Sequence, residues 1–597
     1  MVIGAGTFGS VLAWRLSQGG QGVRTLLLES GRLERTEHVQ NAPPAEETVP
    51  PPRLLAPGAA SLPPGRGRWR VPWRSHLPYH GLAYGVGGRS LFWGAYCVWP
   101  VLDQDGIRDR WPTEARAELT TRYLPAAADL LGLSRPAPHF DGELNRRLRS
   151  RLLDALAGHR FPGLLPPGEL PDHPAANATR PGDGHGYGPA SRLHMPLAIN
   201  TVGDAGKAGD AEDEDSGSPQ LARFSSTPLL TERLRDGTGR LELLTDCHVI
   251  GLRASGDRIT AVDTSLGLLS VPDHAAVVLA VGTIENARLV LDAQGPAPTA
   301  GPAHDLTTHL RSNLTVRVPF PFDRSRFTAA SHTPVPSRRD PARTWGAAAL
   351  HLRGSCGLPS GSDTRFHHQI TAYGVGALPE AAARRLYTDT PRYDVEALDR
   401  ALRTPPRHLV ITLASVAEMA TDGAGEVRLL DERDSHGARL AYVRLSPGRA
   451  DLRTWDAMDR SADAVVRALV GDRPFEVLRS GQFVPVDGGR TATVLAAEER
   501  REPLGCGHHE MGTLRMGKDP RDSHTDADCR MHSVPNLYVC GPAVFPALDS
   551  AGPVLPGIAL TLRLADHLRR TMRESHRTSL SPMPSTPPSS RTRRTAV

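Results

Sequence analysis

The chain has 597 residues, too many for one hydrophobic core, and its 58 glycines and 53 prolines mark a loop-rich globular protein rather than a low-complexity one. Its 70 Lys and Arg against 65 Asp and Glu leave a formal charge of only +5, with Lys207 and Lys518 the sole lysines. Spread over so large a surface without arginine/aromatic clustering, that balance excludes a dedicated nucleic-acid binder.

The chain opens on an apolar start, Met1-Val2-Ile3, then Gly4-Ala5-Gly6-Thr7-Phe8-Gly9, a helical pattern through Ser17 and the strand Thr25–Leu28 with Glu29 at its end. This is the strand, glycine turn, helix and strand of a dinucleotide site. Gly4, Gly6 and Gly9 let the backbone turn tightly and approach a pyrophosphate at the helix N-terminus, where free N–H groups favour anions. Glu29 stands where a carboxylate accepts ribose hydroxyls, which disfavours NADP and leaves FAD and NAD open. Only three residues precede Gly4, fewer than a central strand usually has, so the expectation is a first strand that is truncated or begins at Met1.

Residues 37–70 read as a Pro-rich irregular excursion, and a second glycine cluster follows, Tyr84-Gly85-Val86-Gly87-Gly88-Arg89-Ser90-Leu91-Phe92-Trp93-Gly94. Residues 203–218 carry a block of acids and no apolar residue larger than alanine, the composition of a disordered loop. Strands and a helix return over 241–293, with a strand-to-helix turn at Gly282-Thr283 and a helix from near Glu285. From 300 to 490, strand-like pieces alternate with one helix over 451–469, predicting a second domain with a mostly antiparallel sheet. Residues 575–597 read as a disordered Ser/Pro/Arg tail.

The six cysteines (Cys97, Cys247, Cys356, Cys506, Cys529 and Cys540) form no CxxC pair, so free thiols in a reducing compartment and no metal site are expected. No apolar run approaches a membrane span and no leader pattern opens the chain, so a cytoplasmic protein without a membrane partner is expected.

The densest chemistry lies late, in Gly507-His508-His509-Glu510-Met511-Gly512-Thr513-Leu514-Arg515-Met516-Gly517 and the run from Asn536 that contains Gly541-Pro542. With the first glycine turn and Glu29, the GVGGRSLFWGA cluster and AVGTIENARLVL, these segments resemble the glucose-methanol-choline (GMC) family of FAD-dependent oxidoreductases. The His-x-x-Gly-Thr form and HLRSNLTVRVP from His309 are most similar to the branch of pyranose oxidases and bacterial glycoside oxidases.

The resemblance implies an α/β protein, α+β taken whole. A Rossmann-like FAD domain would be assembled from residues 1–100, 221–300 and 496–574, with a helical and loop excursion over 101–220 and a substrate domain over 301–495. Gly4, Gly6, Gly9 and Glu29 would hold the ADP half, and Val249 would meet adenine through its backbone. Gly87, Gly88 and Ser90 would lie along the pyrophosphate and flavin, with Gly541 and Pro542 near the ribityl chain. His509 falls on the catalytic base, with adjacent His508 the second catalytic candidate, for oxidation of a sugar, glycoside or other alcohol with O₂ or another electron acceptor.

Two departures accompany the resemblance. The family's second His or Asn is Gly552 here, and the threonine after it is Pro556. Losing an oriented donor costs about 10²–10³ in rate, so either a neighbour such as Asp549, Ser550 or His508 compensates, or the fold serves a lyase, isomerase or tailoring reaction. Where pyranose oxidases link flavin through a histidine before a tryptophan, this chain has Phe92, so FAD is expected to be non-covalent.

Overall fold

The computed structural model describes residues 1–19, 23–41, 55–60, 68–133, 143–158, 161, 163–165, 193–201, 221–293, 303–319, 347–373, 408–420, 425–486 and 493–580. The acidic stretch 203–218 and most of the Pro-rich excursion lie outside them.

Five short apolar runs make one parallel sheet, ordered Leu537–Val539, Val277–Leu279, Val2–Ile3, Thr25–Leu28 and Leu241–Leu244. Four of the five are almost wholly apolar because such strands are covered on both faces. Val2–Ile3 is short but pairs on both sides, with Val278 and Leu279 and with Leu27 and Leu28. The chain moves from this strand toward one edge and returns to its other side at Val277, so the order reverses between Val2–Ile3 and Val277–Leu279. Ligands of open α/β sheets bind at the carboxyl ends of strands at such a point, and here those ends are Gly4 and Ala280.

The helix Thr7–Ser17 packs on the C-terminal helix Val554–Leu580. That helix runs six residues into the expected disordered tail, because nothing between Ser575 and Leu580 breaks it before Pro582. An antiparallel meander of Val249–Ser255, Arg258–Thr264 and Gly267–Ser270 follows Leu241–Leu244.

The second large sheet is antiparallel and six-stranded, ordered Ala347–Gly357, Asp363–Tyr373, His408–Glu418, His309–Pro319, Glu476–Arg479 and Gln482–Pro485. Its apolar face, with Leu314, Val316, Leu350, Leu352, Ile370, Ile411 and Leu413, packs under the helices Arg449–Val470 and Glu143–Ala157. The longer helix buries Trp455, Met458, Ala462, Val465, Val466 and Leu469, the i, i+3, i+4 and i+7 spacing of one face. His368 belongs to this buried face, bonded to Ser415 Oγ at 2.7 Å and Ser461 Oγ at 3.0 Å. Alternate residues form the polar face that carries His309. A third sheet joins Trp73–Ser75 to the strands Arg439–Arg444, Glu426–Arg433 and Ala303–His304. Among the described residues no helix is long and apolar enough to cross a membrane.

Candidate active site

The first glycine turn is shaped by contacts that only hydrogen allows. A Cβ on Gly9 would sit 1.9 Å from the Gly4 carbonyl oxygen, and one on Gly4, whose φ is +96°, would sit 2.6 Å from that of Ala280. At Gly6, by contrast, a Cβ would meet nothing within 4 Å, so space stays open over the N-terminus of the helix Thr7–Ser17. The second glycine cluster closes over the first: Gly87 N–H donates to Ala5 O at 2.8 Å, and a Cβ on Gly88 would come within 2.9 Å of Gly6 Cα.

Glu29 ties both turns together. Its Oε1 accepts N–H bonds from Gly31 (2.9 Å) and Gly85 (3.1 Å), and its Oε2 accepts one from Ala5 (2.8 Å). Burial pushes this carboxyl up while those amides pull it down.

Ser90 is used internally, donating to Gly87 O at 2.6 Å and accepting from Ser226 N–H at 3.1 Å. Beside it the buried Thr227 Oγ1 has no partner among the described residues. Val249 opens its strand and is buried, and Gly541 adopts φ +91° with Pro542 starting a 3₁₀ turn. The open space at Gly6, the buried Glu29 carboxyl between the two glycine turns and the orphaned Thr227 hydroxyl fit a dinucleotide cofactor.

The segment bearing His509 is fastened at several points. Met511 and Thr307 exchange backbone bonds of 2.9 and 3.0 Å, which brings His309 beside His509. Gly512 takes φ +88°, where a Cβ would lie 2.4 Å from Asp305 O. The Thr513 hydroxyl donates to Thr283 O at 3.0 Å, and the Thr283 hydroxyl donates to Glu510 O at 2.6 Å. Arg89, from the second glycine cluster, pairs with the buried Glu510 at 2.8 Å and donates to Gly81 O.

His509 and His309 meet through their Nδ1 atoms at 2.7 Å, with rings nearly perpendicular. His309 Nε2 lies 2.8 Å from Asp549 O, an atom that can only accept. The protons are thereby assigned: His309 donates from Nε2 and accepts at Nδ1, so His509 donates from Nδ1 and keeps a bare Nε2. A Cβ placed on Gly552 would stand 3.8 Å from that Nε2, so the missing side chain leaves room next to it. Burial, then His309, Arg311 and Arg89 hold His509 well below the ordinary imidazole range, in the neutral form a base requires.

His508 goes elsewhere. In the left-handed region at φ +55°, it stacks on His80 with ring centres 5.2 Å apart and packs against Trp69. Asp549 contributes its backbone carbonyl, and its carboxylate accepts N–H bonds from Val101 and Ala551. Ser550 Oγ bonds His367 Nδ1 at 3.0 Å. His351 and His367 lie on the polar sheet face, whereas Trp345 lies outside the described residues. Sequence reasoning missed His309 and Arg89 as site residues, although both stand in quoted segments. The six cysteines are free, and no group of three metal ligands occurs among the described residues.

Burial lowers six imidazoles here: His309 to about 4, His368 to about 3, and His351, His367, His508 and His509 well below 6.5. Below pH 6.5 the unfolded chain therefore binds more protons than the folded one, and stability falls as pH drops. Glu418, raised to about 8, acts in the opposite sense but is outnumbered. Each histidine contributes up to about 1.4 kcal/mol per pH unit, so Tm should fall steeply from pH 6.5 toward 4; an unchanged Tm would contradict these burials.

Residues 421–561 match the family described as GMC oxidoreductase. The chain is 24% identical over 586 residues to paromamine 6'-oxidase of Streptomyces fradiae, covering 95% of this chain and 90% of that protein. A 67-residue stretch is 39% identical to C-glycoside 3-oxidase of Microbacterium trichothecenolyticum, 11% of this chain and 13% of that one. Among solved structures, formate oxidase of Aspergillus oryzae shares the fold with a TM-score of 0.57 at 14% identity, covering 97% of this chain and 98% of that one. Pyridoxine 4-oxidase from Mesorbium loti gives 0.50 at 17% identity, with coverages of 96% and 98%. GMC oxidoreductases are flavoproteins that bind FAD. In this chain, Gly4, Gly6, Gly9 and Glu29 are the residues that would hold the ADP half of such a cofactor, and the Gly87–Ser90 turn its pyrophosphate side.

Proposed function

We propose that this enzyme oxidises a CH–OH group of a sugar, glycoside or related alcohol, with His509 Nε2 as the general base. The observation that carries this reading is the Asp549 O, His309, His509 chain, which leaves a neutral nitrogen lone pair facing the space at Gly552. Bound FAD supplies the two-electron acceptor for the carbon-bound hydrogen. The chain's own residues orient the hydroxyl, take its proton at Nε2 and share the new charge through His309. The sugar oxidases among the relatives support the substrate class. Anaerobic mixing with a panel of sugars, glycosides and simple alcohols should bleach the flavin with at least one carbohydrate; bleaching by none would sink the proposal.

His309 acts as the positioning residue that replaces what Gly552 lacks. Substituting His309→Leu removes the acceptor for His509 Nδ1–H, and loss of such an orienting partner costs about 10–100-fold. The reduction rate should fall by that factor and its acidic limb should move toward the ordinary imidazole pKa, because His309 is also one of the groups depressing His509. Equal rates and limbs in both proteins would remove His309 from the mechanism.

FAD is held without a covalent bond on this reading. Phe92 is buried against Trp69, ring centres 5.1 Å apart, and a benzyl side chain has no atom to attach. Acid precipitation should leave a colourless pellet and a yellow supernatant, and a yellow pellet would refute it.

A further inference from the structure

Among the buried polar atoms without a partner in the described residues are Tyr96 Oη, His351 Nε2 and Gln369 Oε1, which belong to one wall. His351 and Gln369 are only 6% and 7% exposed. Leaving such a group buried and unsatisfied forfeits its hydration with nothing in return, and three in one wall call for an explanation.

Register puts them on the same sheet face as His309. One row across the sheet reads Arg353, His367, Val416 and Arg311, and the next reads His351, Gln369, Ala414 and Asn313. Directly opposed residues and residues two apart share a face, so His309, two before Arg311, looks out beside them. Gln369 lies two strands across and four residues along from His309, roughly 16 Å in backbone position, and His367 stands on the row between them. Gly552 opens the space between: its missing Cβ would be 3.8 Å from His509 Nε2 and 4.0 Å from Tyr96 O.

The wall is built rather than loose. The rings of Tyr96, His351 and His367 stand 5.4, 5.8 and 6.0 Å apart. The Gln369 amide nitrogen donates to His367 Nε2 at 3.2 Å, and His367 Nδ1 then donates to Ser550 Oγ at 3.0 Å. That fixes the amide with Oε1 as the open acceptor.

We propose that Tyr96, His351 and Gln369 form the specificity wall of the substrate site, binding the hydroxyls of an uncharged, multiply hydroxylated ring and rejecting an ammonium group in their place. It rests on the reading of His509 as base. The charge pattern supports it. The imidazoles are neutral, Arg353 is cationic, and Asp549 is already bonded to two amides. Glu418, opposite His309, is pushed up to about 8 by burial and offers no anion at neutral pH.

The test is anaerobic titration of FAD-loaded His509→Ala protein with methyl glucoside and its 2-amino-2-deoxy analogue, read as perturbation of the flavin spectrum and by calorimetry. The neutral probe should bind about 10-fold tighter. Gln369→Glu, nearly the same size, should narrow or reverse that ratio, and Tyr96→Phe, which keeps the ring, should weaken neutral binding several-fold at unchanged Tm. A neutral probe that fails to bind, an amino sugar that binds as well or better, or ratios unmoved by either substitution would overturn the proposal. Flavin bleaching by the His509→Ala protein would refute the base instead, and leaves these binding ratios to be judged separately.

Discussion

Replacing His509 by alanine should slow anaerobic flavin bleaching by substrate about 10²–10⁴-fold, the contribution of a positioned general base, while the yellow cofactor stays bound. The size follows from the proton chain. Asp549 O accepts from His309, which accepts from His509, so Nε2 of His509 is the nitrogen left bare at the Gly552 space. His508 cannot take over, because its ring is stacked with His80 and Trp69 and its backbone is already at φ +55°. Cofactor retention is expected because the glycine turns and Glu29 do not use this imidazole. Stopped-flow absorbance measures the rate, and bleaching at the wild-type rate would remove His509 from the chemistry.

Gly9→Ala should yield protein purified without flavin and with a clearly lowered Tm. The new methyl would lie 1.9 Å from Gly4 O, on a peptide whose N–H, that of Ala5, is bonded to Glu29 Oε2 at 2.8 Å. Neither side is a flexible side-chain end, so the helix must back away from the strand, at a cost of about 1–3 kcal/mol or more. Gly6→Ala is the informative contrast. Its methyl would meet no heavy atom within 4 Å, so Tm of the apoprotein should hold while the methyl occupies the space a pyrophosphate needs. Flavin-to-protein absorbance and calorimetric Tm separate the two. Full flavin content in Gly9→Ala would show the turn to be more yielding than its contacts imply.

Signals that are local in the chain were legible. The first glycine turn, its strands and Glu29 lie within thirty residues, and the spacing itself states the geometry. The helix Arg449–Val470 was readable from its stripe of buried positions, and Gly552 stood out as a gap in a motif. His309 was not legible as part of the site. It meets His509 across two hundred residues, through a pairing of Thr307 with Met511 that no periodicity announces. Likewise, which face His351, His367 and Gln369 share with His309 depends on the register of four strands. The tautomers follow from that register too.

The parallel sheet carries a consequence for biosynthesis. Its edge strand Leu537–Val539 and the helix Val554–Leu580, which packs on the first helix, leave the ribosome long after the strand and helix they cover. Until then the strand Val277–Leu279 has one unpaired side and the helix Thr7–Ser17 lacks one of the elements it packs on. Open edges and long-range pairings of this kind slow folding and invite aggregation. Translation that stalls before residue 539 should therefore release a sticky nascent chain that depends on chaperones.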